Sequence, residues 1–150
     1  MIKKILYIFL IVYFGSLVFI SLLCPILEYE RSPSASICYS FLKNFCHQIP
    51  SRCLWILGSN IGLCSRCFCL YLSFFVISIF LFVTKKLNSM SLKKTFLISL
   101  LLGFPLVIDG GTKLITDYLS NNWLRSITGM LAGSGFALLS TNFLKGGIWK

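Results

Sequence analysis

The side chains most able to do chemistry in this sequence are gathered in two short segments and one isolated carboxylate. They are Cys46-His47-Gln48, Cys64-Ser65-Arg66-Cys67 and Asp109. Thiolate and imidazole are the donors that zinc and other transition metals of similar softness prefer, so Cys46, His47, Cys64 and Cys67 form a candidate ligand set. Cys64 and Cys67 are three residues apart, which on a helix places them on one face. A helix N-terminus and the neighbouring Arg66 both stabilise thiolate. The same thiolates suit disulfide exchange, with Cys64, Cys67 and Cys46 as redox groups. Static disulfides are the plainer alternative, although the count of seven cysteines leaves at least one without a partner in the chain. In isolation, His47 at a membrane interface reads as a hydrogen-bonded surface residue.

An ionised Asp109 at membrane depth costs roughly 2.5–3.5 kcal/mol at a helix centre unless it is paired. Arg66 is the expected partner, because some 13 residues of helix from about Phe96 carry Asp109 to the same layer. Lys113, one turn further on, competes for it. Gln48, Arg52, Arg66 and Asp109 are expected to surround and orient the ligands. Gly110 and Gly111 would allow close approach of another backbone or a ligand. A structural Arg66–Asp109 ion pair with no chemical role is an equal reading.

The elements that hold these residues are written in the composition. The chain has 150 residues, 57% of them hydrophobic and 12% charged. That charged share is about half the ~25% usual in soluble domains, so the bulk of one small unit must be solvated by lipid. Four apolar runs, at about 5–27, 61–83, 96–115 and 124–143, predict an all-α, four-span membrane protein forming a single domain over 1–150, with a long first outer loop at 28–60. The first run is too long for a signal core of about 7–15 residues and lacks a small-x-small exit, which predicts an uncleaved span. Lys3, Lys4, Lys85, Lys86, Lys93, Lys94, Lys145 and Lys150 fall on one side if both termini are cytoplasmic, as the positive-inside rule requires. The cysteine and histidine cluster then lies outside an inner (cell) membrane, where thiols meet oxidising conditions. The net charge of +10 resides largely in these flanking lysines, and the aromatics lie mostly in the apolar runs, so no nucleic-acid partner is expected.

Within the outer segment, Ser36 to Asn44 predicts a short helix whose Ile37, Phe41 and Phe45, spaced by four, would rest on the bundle mouth. In the fourth run, Gly129, Gly133 and Ala137 make a stripe that lets helices pack closely.

Phe45-Cys46-His47-Gln48-Ile49-Pro50-Ser51-Arg52, Gly62-Leu63-Cys64-Ser65-Arg66-Cys67, Ile108-Asp109-Gly110 and Leu124-Arg125-x-x-Thr128-Gly129 together resemble a family of small prokaryotic membrane proteins, a domain of unknown function. Its pattern is CHQ-x-x-x-R-S, C-x-R-C-T-G-x-Y, D-G and L-R-x-x-T-G. The resemblance covers roughly Phe45 to Ala137 and implies a membrane location and a shared site without naming a reaction. Cys53 stands where that pattern has Ser, and Phe68-Cys69 replaces Thr-Gly, which implies an additional Cys53–Cys69 pair private to this chain.

Three functional classes follow. The leading one is metal or other ligand binding, with zinc or another transition metal as cofactor. The second is a thiol–disulfide oxidoreductase linked to a quinone; against it, the second outer loop, near Thr116 to Trp123, has no cysteine. The third is a structural subunit or small transporter with static disulfides; only Arg66 and Asp109 break the apolar interior, which offers no continuous polar path. Whether the chain is an enzyme is left open, as is its oligomeric state. Lipid is the expected partner, with a membrane or extracytoplasmic protein as a further candidate.

Overall fold

A computed structural model describes residues 2–84, 90–115 and 121–148, excepting the side chains of 112–115 and 145–148. The chain is mainly helical: α1 (Ile2–Tyr29), α2 (Ser34–Lys43), a 3-10 turn at Pro50–Arg52, strands β1 (Cys53–Ile56) and β2 (Ser59–Cys64), then α3 (Ser65–Thr84), α4 (Leu92–Ile115) and α5 (Asn122–Ile148). Three helices, Ile2–Tyr29, Ser65–Thr84 and Asn122–Leu144, are long and apolar enough to cross a membrane.

The segment expected as a long outer loop is folded. α1 ends in a Schellman motif, with Arg31 in the left-handed region at φ 54° and the amides of Arg31 and Ser32 donating to the carbonyls of Glu28 and Leu27. α2 then doubles back and is fixed to α1 by the Cys24–Cys38 disulfide. The expectation of a Cys53–Cys69 pair is therefore overturned, since both thiols are free. The short helix forms as expected, but turned about its axis. It buries Ala35, Cys38 and Leu42, whereas Ile37 and Phe41 are exposed. The disulfide and Leu42, which packs into the Leu17–Leu63 cluster, decide the facing.

A second departure concerns the start of the second run. Ile61 to Cys64 is strand, and the helix begins only at Ser65. β1 and β2 form an antiparallel hairpin in which Ile56 pairs with Ser59, closed by Leu57 and Gly58 at φ 54° and 82°. Positive φ at both central residues is the geometry that matches the twist of a tight hairpin. Gly62 allows β2 to lie on α2, because a Cβ there would strike the Leu42 side chain and meet the Cys24 sulfur at 3.1 Å.

The helices pack with α5 at the centre, against α3, α4 and α1, while α3 also packs on α1. The stripe in the fourth run is the packing face the sequence suggested. A Cβ at Gly129 would collide with the backbone carbonyl of Arg66, and one at Gly133 with Leu70 and Ser73, while Ala137 is fully buried. Phe14, Phe74 and Phe136 form the aromatic centre, with ring centroids 4.5 and 5.2 Å apart. At the end away from the cysteines, buried polar contacts join the helices. Tyr7 Oη lies 2.7 Å from Thr141 Oγ1 and donates to the Ser78 carbonyl, and Asn142 Nδ2 donates to Thr95 Oγ1 at 2.5 Å. In lipid such bonds contribute about 1 kcal/mol each to association. Lys85 and Lys86, the side chains of Lys113 and Lys145, Lys150, and most of the segment expected as a second outer loop lie outside the described residues.

Candidate metal centre

The hairpin and the start of α3 bring three sulfurs to one place. Cys46 closes the segment after α2, Cys64 ends β2, and Cys67 stands in the first turn of α3. Their Sγ atoms lie within 4.8 Å of one another. The juxtaposition expected from a shared helical face thus arises at a strand-to-helix junction instead.

Backbone amides are aimed at two of the sulfurs. The Cys64 amide donates to Cys46 Sγ at 3.2 Å, and the Gln48 amide also bonds that sulfur. The Cys67 amide bonds Cys64 Sγ. Donors to sulfur stabilise thiolate, the form that ligates metals. Hydrogen bonds from the Cys64 and Cys67 thiols, with these amides, hold Cys46 below the usual thiol range, against the effect of burial. The same contact with Cys46 pushes Cys64 up. Three sulfurs this close cannot all carry charge unaided, and a divalent cation would remove the conflict by coordinating each as thiolate. In a tetrahedral site with bonds of ~2.3 Å, sulfurs stand ~3.8 Å apart, which the cluster accommodates.

Gln48 positions the cluster. Its Nε2 donates to the Tyr39 carbonyl at 2.9 Å and to the Gly62 carbonyl at 2.8 Å, tying α2 to β2 two residues from Cys46 and two from Cys64. The Tyr39 hydroxyl adds a donor to the Asn60 carbonyl at 2.7 Å and faces the Glu28 carboxylate at 2.8 Å. Gln48 itself holds φ at 49°, which a non-glycine residue keeps only when its surroundings enforce it. A metal held by the three thiols would be bound about 10–100-fold more weakly in Gln48→Ala, the usual effect of losing a residue that orients ligands. A chelator competition titration reads this directly. Unchanged affinity would make the clasp purely structural.

A cavity of about 230 Å³ opens beside the sulfurs, lined by Phe45, Cys46, His47, Gln48, Ile49, Arg52, Cys64 and Cys67. His47 shares this wall but is exposed and stands outside the three-sulfur set. Arg52 brings positive charge to the cavity, and its carbonyl accepts from the Ser65 hydroxyl at 2.8 Å, locking the 3-10 turn to the start of α3. Cys53 is directly opposite Cys64 in the hairpin and only 2% exposed. Its thiol donates to the Ile49 carbonyl at 3.3 Å; burial, then the charges of Cys64 and Cys46, push it up to about 12.

Behind the cluster, Arg66 and Asp109 form an ion pair joining α3 to α4. The Arg66 Nη1 lies 3.7 Å from where a Cβ on Gly110 would sit, so the glycine leaves the guanidinium its room. Arg125, 6% exposed, extends this polar layer on α5 and donates to Asn122 Oδ1 at 3.3 Å, while Asn122 donates to the Ser51 carbonyl. Sequence reasoning gave Arg125 no role and missed the hairpin. The hairpin had a signal in Leu54-Trp55-Ile56 and Asn60-Ile61 about a central Gly58, apolar and β-favouring residues around a turn.

Residues 46–139 match the model of a family described as "Predicted membrane protein (DUF2085)". The match begins at Cys46, so it contains the three clustered sulfurs, Arg66, Asp109 and Arg125 and leaves out the Cys24–Cys38 disulfide. An uncharacterized protein of Methanocaldococcus jannaschii is 40% identical over 100 residues, which cover 65% of this chain and 63% of that protein. The chain therefore spans just under two thirds of that relative. An uncharacterized protein of Methanothermobacter thermautotrophicus is 36% identical over 104 residues, 69% of this chain and 90% of the relative. No solved structure matches.

Proposed function

We propose that this chain, which belongs to the DUF2085 family of membrane proteins, binds one transition-metal ion, best fitted by zinc, through the thiolates of Cys46, Cys64 and Cys67. The observation that carries the reading is the convergence of three sulfurs within 4.8 Å, supplied by the segment after α2, by β2 and by α3. Backbone amides directed at Cys46 and Cys64 support it, because a merely packed thiol needs none. Gln48 and Arg52 orient and shield the ligands, and the Arg66–Asp109 pair fixes the helix that carries Cys67. His47, on the cavity wall, completes the set of residues that face the ion's surroundings. Such an ion would hold together the end of α2, the hairpin and the start of α3.

Cobalt titration in mild detergent tests the reading. One equivalent of Co²⁺ should produce thiolate-to-cobalt charge-transfer absorption, which is displaced by one equivalent of Zn²⁺. Absence of that band in fully reduced protein would sink it.

The same proposal places the chain as one four-span unit, with the sulfur cluster on the outer side and both termini cytoplasmic. α4, 24 residues or roughly 36 Å long, supplies the fourth span. Lys3 and Lys4 at the start of α1 and Lys93 and Lys94 at the start of α4 supply the positive flank. An impermeant thiol reagent applied to intact, reduced cells should label a cysteine introduced at Ser34 and miss one at Ser89. The opposite pattern would invert the topology and place the thiols in a reducing compartment.

A further inference from the structure

We infer that Cys53, rather than His47, supplies the fourth donor to the metal, an inference that rests on the three-thiolate reading above. A tetrahedral ion held by Cys46, Cys64 and Cys67 would have one corner left, and the candidates to fill it are His47, on the cavity wall, and Cys53, across the hairpin from Cys64. His47 follows Cys46 directly in sequence and is exposed; neither its imidazole nor the Cys53 sulfur is among the donor atoms that close to within 4.8 Å. Adjacent residues rarely turn both side chains onto one ion, and an exposed imidazole is better solvated where it is.

Cys53 has the better geometry. It is the cross-strand partner of Cys64, with the hairpin irregularity falling after it, between Cys53 and Trp55. Directly opposed residues of an antiparallel pair project to the same face with Cβ atoms ~4.5–5.5 Å apart. From that separation two thiolates reach one ion with bonds of ~2.3 Å. The side chain is also 2% exposed, so no water shell has to be stripped from it.

Its present contact is a single hydrogen bond from the thiol to the Ile49 carbonyl at 3.3 Å, and sulfur is a weak donor. A rotation about χ1 would break that bond and turn the sulfur toward the other three, where Cys53 would help to hold the ion as a thiolate, its proton passing to solvent. No oxidant or reductant takes part. Four thiolates around a divalent ion carry a net charge of −2, and Arg52, next to Cys53 and on the cavity wall, stands where it offsets part of it. The other wall residues with polar side chains, His47 and Gln48, bring no negative charge.

The test is X-ray absorption at the zinc edge on the full chain in detergent, loaded with one equivalent of zinc and desalted. The expected first shell is four sulfurs at ~2.3 Å, unchanged in His47→Ala and reduced to three sulfurs plus one lighter atom in Cys53→Ser. A wild-type shell of three sulfurs and one nitrogen or oxygen overturns the inference while leaving the three-thiolate reading intact, whether or not the Cys53 variant folds. Failure to retain stoichiometric zinc overturns both.

Discussion

Cys64→Ser and Cys67→Ser should each abolish stoichiometric metal retention. Both residues contribute a sulfur to the same cluster. Structural zinc sites contribute on the order of 10–16 kcal/mol of apparent binding free energy near neutral pH, and a serine hydroxyl is a poor zinc ligand. Loss of one thiolate should thus reduce affinity by several orders of magnitude. Equilibrium dialysis against zinc buffered by a chelator would show full occupancy for the wild type and none for either variant. Cys69→Ser is the control, since Cys69 is buried in α3 and is no member of the cluster. Retention of zinc by Cys67→Ser would remove the strand-to-helix junction from the site.

The second large effect belongs to the ion pair between α3 and α4. Asp109 is 7% exposed as a residue, and the Arg66 side chain is about one quarter exposed. Removing one partner of a buried pair strands the other charge, at a cost of about 3–5 kcal/mol. Asp109→Asn alone should therefore lower the thermal midpoint in detergent sharply. Arg66→Gln combined with Asp109→Asn should recover part of the loss, because neither member of the pair is then left charged without the other. The comparison is a double-mutant cycle, and strictly additive losses would show that the pair contributes no coupling. Arg125, buried near this layer, limits the recovery, because its charge persists in the double variant.

How far the sequence could be read depended on which physical signal each element carries. Apolar runs bounded by lysines marked α1, α3, α4 and α5 because lipid requires long uncharged segments. The small-residue stripe at Gly129, Gly133 and Ala137 marked the α5 face on α3, since only small side chains permit that approach. Paired opposite charges were legible too: a carboxylate at Asp109 demands a cation, and Arg66 sat in the same layer.

Local structure near the sulfurs was less legible. Ile61-Gly62-Leu63-Cys64 reads as the apolar start of a span, and only the pairing of Ser59 to Cys64 with Cys53 to Ile56 makes it a strand. Hairpin pairing is a tertiary choice that hydropathy does not encode. For the same reason Cys64 and Cys67 were expected on one helix face but lie on two elements. The facing of α2 went astray because Ile37, Phe41 and Phe45 form a good apolar period, whereas the Cys24–Cys38 disulfide turns Cys38 and Leu42 inward. Disulfide connectivity among seven cysteines has no sequence signature of its own. The convergence of Cys46 with Cys64 and Cys67 was an expectation from motif spacing, and the fold brings those three together while leaving His47 at the edge.

The central claim is that these three sulfurs hold a metal rather than form a disulfide. Metal analysis of the full chain purified in mild detergent without chelator, combined with thiol counting before and after reduction, addresses it most directly. The account predicts one zinc or similar ion per chain, with the clustered thiols protected from alkylation until a strong chelator is added, and a single disulfide at Cys24–Cys38. A metal-free protein carrying a readily reducible Cys64–Cys67 bond would contradict it.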